Sequence, residues 1–143
     1  MGTKTINSDT KLISSWLRYT ETAVVSAKKV VVVGFGSGEH VRTLQNAYPH
    51  LEILVVDPRR ELFDSHQSGV SSTIQYISSL EGVKNLKYIL AESNFLIPIL
   101  EYRPCWYPYK VFFDWATYEL KASASPQEWK DTPAEFILES LFL

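Results

Sequence analysis

The stretch Val30-Val31-Val32-Val33-Gly34-Phe35-Gly36-Ser37-Gly38-Glu39-His40 constrains the fold more than any other part of the chain. Four consecutive β-branched residues suit a strand buried on both faces, as in a parallel sheet covered by helices. Three alternate glycines then let the backbone turn sharply and let another group approach the main chain without meeting a Cβ atom. A helix starting near Glu39 would aim its free N–H groups and positive dipole end at whatever occupies that turn. About 20 residues on, Ile53-Leu54-Val55-Val56-Asp57 reads as a second buried strand that ends in a carboxylate. Together these describe a nucleotide-type pocket with Gly34, Gly36, Ser37, Gly38 and Asp57 as its candidate binding residues.

At 143 residues, 45% of them hydrophobic, the chain is long enough to bury a core and reads as one domain over 1–143. A formal net charge of −2 gives no electrostatic reason to expect nucleic acid as a partner, and the pairs Lys28-Lys29 and Arg59-Arg60 are too small to change that. The lone Cys105 rules out an internal disulfide and a cysteine-rich metal site, and is expected to be a small buried or half-buried thiol. His50 and His66 lack a partner pattern for a metal, and no metal is expected. Met1-Gly2-Thr3-Lys4 opens no signal-peptide apolar region, and no run approaches the roughly 18 apolar residues of a membrane span. The expectation is a cytoplasmic protein without a membrane partner.

In chain order, Ser8 or Asp9 caps a helix over about 9–22, with Leu12, Ile13, Trp16 and Leu17 on one stripe. The helix behind the glycine turn carries Val41, Leu44 and Tyr48 and closes at Tyr48-Pro49-His50. Arg59 to Gln67 reads as a short helix with Leu62 and Phe63 inward. Val70, Ile74, Ile77 and Leu80 fall at helical spacing and predict a helix ended by Glu81-Gly82. Leu86 to Glu92 then reads as a third strand. After a proline-punctuated connection from Pro98 to Pro108, Tyr109 to Asp114 reads as a fourth. Asp57, Glu92 and Asp114 would thus end strands, and ligands of open α/β sheets bind at that edge. The pocket core spans about 29–115. The aromatic residues Tyr102, Trp106, Tyr107, Tyr109, Phe112, Phe113, Trp115 and Tyr118 form either a stacking wall for a planar ligand or ordinary core and loop packing.

The pattern Gly34-x-Gly36-x-Gly38 places Glu39 where a dinucleotide fingerprint has its third glycine. From Val30 to about Asp114 the chain instead resembles class I S-adenosylmethionine-dependent methyltransferases. The resemblance implies a three-layer, mainly parallel Rossmann-like sheet, here abbreviated at its C-terminal side because only four strands can be read. It implies S-adenosylmethionine or a related nucleoside as ligand: Gly34, Gly36 and Gly38 around its methionine end, Asp57 on the ribose hydroxyls, Glu92 near the adenine, and Asp114 in the strand-four region where catalytic residues often lie. The acid that family usually carries two residues before the first glycine is replaced by Val32. No Asp/Asn-Pro-Pro-Tyr signature follows the fourth predicted strand, so no catalytic residue or methyl acceptor is identified. Gly34 to Val41 with Ile53 to Pro58 also looks like the Rossmann-like segment of motility accessory factor proteins, candidate flagellin glycosyltransferases, in which a histidine follows the glycines as His40 does. Outside that resemblance, His40 reads as a solvent-facing or helix-capping side chain.

Three functions stay open: a nucleoside-binding methyltransferase-like domain, a non-catalytic Rossmann-like interaction module, and a fragment of a sugar-nucleotide glycosyltransferase. The tail over about 126–143 has helix-start signals at Ser125-Pro126 and Thr132-Pro133-Ala134-Glu135, and Phe136, Ile137, Leu138, Leu141, Phe142 and Leu143 make it apolar around much of its circumference. With an open sheet edge beside it, this tail predicts a homodimer or a protein partner.

Overall fold

The computed structural model describes residues 2–66, 69–70 and 74–124. Valines alternate their side chains across β1 (Lys29–Val33): Val30 and Val32 enter one apolar cluster, Val31 and Val33 the other. A strand buried on both faces needs two covering layers. β2 (Glu52–Val56) repeats the pattern, with Ile53 and Val55 on the first face and Leu54 and Val56 on the second. With β3 (Gln75–Ile77) and β4 (Ile99–Glu101) these strands form a parallel sheet in the order β3-β2-β1-β4. The fold is therefore three-layer α/β and Rossmann-like.

The first face is covered by α1 (Gly2–Val24), through Ile13 and Trp16, and by α2 (Glu39–Ala47), through Val41 and Leu44. Leu62 and Phe63 of α3 (Arg60–His66) pack against the same cluster. The second face carries α4 (Leu80–Glu92), through Val83, Leu86 and Leu90, and α5 (Lys110–Ala124), through Phe113, Ala116 and Leu120. A 3-10 turn at Arg103–Cys105 links β4 to α5. No helix among the described residues is long and apolar enough to cross a membrane.

The second half of the chain departs from the sequence expectation in four elements. The segment expected as a helix from Val70 to Leu80 holds β3, because Ile74 and Tyr76 turn to one face of the sheet and Ile77 to the other. Three strand residues are too few for a period of two to show in sequence. Glu81-Gly82 opens α4 rather than ending a helix: the Ser79 side chain accepts a hydrogen bond from Gly82 N, and a Cβ at residue 82 would lie 2.7 Å from Ile77 Cγ2. Leu86 to Glu92, expected as a strand, is helical, with Leu86 and Leu90 inward while Tyr88 and Ile89 stay exposed. Tyr109 to Asp114, also expected as a strand, forms the entry to α5, where Phe113, Ala116 and Leu120 recur at helical spacing. The actual fourth strand lies between Pro98 and Pro104, in the stretch expected as a connection.

α1 also begins before the expected cap, so Ser8 and Asp9 lie inside it. The tail over 126–143 lies outside the described residues. The β4 edge is partly closed: Trp16 Nε1 donates to the Glu101 carbonyl at 2.9 Å, and the Glu101 carboxylate is held by Arg103 and Lys121. Burial works against its charge, yet these two cations hold the carboxyl below its ordinary range. Short edge strands with charged residues resist strand-to-strand pairing.

Candidate functional site

The glycine turn, the end of β2 and the segment after β4 meet at the C-terminal edge of the sheet. Gly34 and Gly36 have φ of 107° and 53°, in the left-handed region that a Cβ disfavours. Something already stands against their open faces. A Cβ at residue 34 would lie 2.7 Å from Cys105 Sγ and 2.9 Å from Trp106 Nε1, and one at residue 36 would lie 2.8 Å from Cys105 Cβ. The close approach that the glycines permit is thus made by the protein's own chain.

That chain is well anchored. Tyr102 N and Trp106 Nε1 both donate to the Val33 carbonyl at 3.0 Å, and the Trp106 ring stacks on Phe113 at 5.1 Å in the second apolar cluster. Cys105 packs against both clusters. Burial, followed by the nearby Asp57 charge, pushes its thiol up to about 12, which makes it a packing group rather than a nucleophile.

Asp57 is fully buried. Its Oδ2 accepts from Phe35 N at 2.8 Å, from Gly36 N at 3.4 Å and from Arg59 NH2 at 2.8 Å, while Oδ1 accepts from Arg59 N and Arg59 Nε at 2.9 Å. The Arg59 side chain is only 11% exposed. Its guanidinium also donates to the carbonyls of Cys105 at 2.7 Å and Tyr107 at 3.4 Å. Burial opposes the charge on Arg59, but the Asp57 hydrogen bond and charge outweigh it and hold the guanidinium firmly protonated. Tyr76, whose hydroxyl donates to the Arg59 carbonyl at 2.9 Å, has its ionisation pushed up, chiefly by burial and then by Asp57.

His40 supports the turn from inside. It is 2% exposed, and its Nε2–H donates to the Gly34 carbonyl at 2.7 Å, since a carbonyl can only accept. Its ring stacks on Tyr102 at 3.7 Å and meets the Trp16 edge at 5.4 Å. Burial lowers its pKa to about 4 despite that hydrogen bond. The solvent-facing or capping histidine expected from sequence is therefore a buried strut, because the helix that begins at Glu39 turns this position onto the α1 layer.

No family model matches the chain, and no curated protein or solved structure matches it.

Of the residues expected at the site, Gly34, Gly36 and Asp57 come together. Gly38 precedes α2, its N–H on the Phe35 carbonyl at 2.7 Å, and the exposed Ser37 offers its carbonyl to Arg42 at 3.1 Å. Glu92 does not join them. It is exposed at the C-terminal end of α4, and a helix that leads from the end of β3 back to the start of the parallel strand β4 finishes at the N-terminal edge of the strands, opposite the glycine turn. Asp114 ends no strand; it lies in α5 with Oδ2 accepting from Lys110 Nζ at 2.6 Å, and its Oδ1 and Thr117 Oγ1 are buried without a hydrogen-bond partner among the described residues. Among the described residues no group of three or more His, Cys, Asp and Glu is placed to hold a metal. The aromatic residues divide: Tyr102, Trp106 and Phe113 are core, while Tyr107, Tyr109 and Tyr118 are exposed.

Sequence reasoning missed Arg59 and the Cys105-Trp106 segment. The available signal was Asp57-Pro58-Arg59 itself, since a cation two residues after a strand-end acid can fold back onto it across a turn. A ribose diol at Asp57 would need acceptor positions that Arg59 and the loop amides already take. Of the residues the methyltransferase resemblance assigns to a cofactor, Gly36 and Asp57 are hydrogen-bonded to each other, and Arg59 takes both oxygens of the Asp57 carboxylate.

Proposed function

We propose that the domain is a non-catalytic Rossmann-like interaction module whose nucleotide cradle is filled by its own chain. The observation that carries this reading is the Asp57 carboxylate, fully buried and bonded to Phe35, Gly36 and Arg59. The partner is a protein. Large apolar side chains are exposed on both helices of one layer, Tyr88 and Ile89 on α4 and Val111 and Tyr118 on α5, and exposed aromatic residues are enriched where proteins meet. The single cysteine suits a reducing compartment, and we place the module in the cytoplasm on that basis.

A second reading, binding of S-adenosylmethionine or a related nucleoside with methyl transfer to an unidentified acceptor, is favoured by one observation: the alternate glycines and Asp57 do converge in space. Calorimetric titration with S-adenosylmethionine, its demethylated product and NAD separates the two. The module reading expects no saturable heat from any of them. One-site binding of either methionine-derived ligand would replace it with the second reading.

A further inference from the structure

The surroundings of the Arg59 side chain have a single chemical sign. Its neighbours are the Asp57 carboxylate, the carbonyls of Cys105 and Tyr107, and the rings of Tyr109 and Phe113, whose centroids lie 5.3 and 5.5 Å from Arg59 Cζ. All of the polar groups accept hydrogen bonds, and an aromatic face carries negative potential. Two of the contacts, Nε to Oδ1 at 2.9 Å and NH2 to Oδ2 at 2.8 Å, form the paired geometry in which a planar fork meets a carboxylate. A phosphate would face acceptors only. A neutral sugar diol would leave the buried carboxylate charge without a counter-charge, which is costly in a water-poor site.

From this we infer that the position beside Asp57 is a guanidinium site with Arg59 as its resident intramolecular ligand, and that its specificity is for small planar amidinium-type cations over nucleosides. The inference goes beyond the closed-cradle reading but rests on it. Truncating the occupant to Arg59→Ala removes the fork and leaves the carboxylate, both carbonyls and both rings to receive a free cation of the same shape.

The test is thermal unfolding of Arg59→Ala with methylguanidinium, methylammonium or adenosine, at matched chloride concentration and with the parent protein as control. Methylguanidinium is expected to raise the variant's midpoint by about 5 °C at a tenfold excess over its dissociation constant while leaving the parent's unraised. Equal rescue by methylammonium would show that a point charge suffices, and rescue by adenosine would show nucleoside specificity; either overturns the inference, as does the absence of any rescue. If Arg59→Ala is unfolded alone, recovery of its helical circular dichroism on adding methylguanidinium is the readout, and no recovery has the same meaning as no rescue. Nucleoside binding by the parent would instead defeat the closed-cradle reading, so the two failures are distinguishable.

Discussion

Arg59 holds both oxygens of the Asp57 carboxylate, Nε on Oδ1 and NH2 on Oδ2, across a turn of only two residues. The pair links three parts of the chain, because Asp57 also accepts from the glycine turn and Arg59 also donates to the segment after β4. A buried ion pair of this kind gives modest net stability relative to an apolar substitute, but removing one member strands the other.

Asp57→Ala is therefore expected to act on stability. With Arg59 left beside empty space and Phe35 N and Gly36 N without their acceptor, the loss should be about 3 kcal/mol or more. Arg59→Lys, which keeps the charge but not the fork, should lose less than Arg59→Ala. Urea denaturation of the three variants checks the order; an Asp57→Ala protein as stable as the parent would contradict it.

Gly34→Ala tests whether the segment after β4 is what the glycine turn accommodates. The new methyl group would meet Cys105 Sγ and Trp106 Nε1 inside contact distance at a backbone φ of 107°. Strain and overpacking together should cost roughly 2–4 kcal/mol, read as a lowered denaturation midpoint. A neutral effect would mean that the segment moves freely.

His40 should make the protein acid-sensitive. Its folded-state pKa of about 4 lies below the 6.5 of an unperturbed histidine, so the unfolded chain binds the proton more readily. Its contribution is fully present above pH 6.5 and is lost as the pH falls toward 4, by on the order of 3 kcal/mol in total. Carboxylates titrate near the bottom of this window, so the measurement is the difference in pH dependence between the parent and His40→Gln. The variant should lack the slope between pH 6.5 and 5.

Trp16→Phe keeps most of the ring packing but removes the donor to the Glu101 carbonyl. The expected loss is about 1–3 kcal/mol by chemical denaturation, the cost of leaving a partly buried carbonyl unmatched. Since this bond helps close the β4 edge, light scattering should also show more self-association in the variant than in the parent.

The first half of the fold was legible because its signals are redundant. Val30 to Val33 and Ile53 to Val56 are long enough, and β-branched enough, to mark strands buried on both faces, and the glycines mark the turn between β1 and α2. Beyond Val70 the signals compete. Val111-Phe112-Phe113 has strand-like composition yet lies in a helix, where only Phe113 of the three reaches full burial, and β4 is three residues caught between prolines. Tertiary packing decides such short apolar runs. At the site, the sequence located the acid and the glycines but not what fills the space between them. That depends on contacts across 46 and 48 residues, from Arg59 to Cys105 and Tyr107, which no local pattern records.

The central claim is that the cradle's hydrogen bonds are already made within the chain, and the most direct measurement follows those bonds themselves. In nitrogen-15 NMR spectra, the Phe35 amide and the Arg59 Nε–H, each bonded to Asp57, are the resonances to watch while S-adenosylmethionine is titrated to millimolar concentration. The account predicts that both stay in place and that the Arg59 Nε–H remains visible and slow to exchange. Saturable movement of these two resonances, with loss of the Arg59 signal as a ribose diol displaces it from the carboxylate, would contradict it.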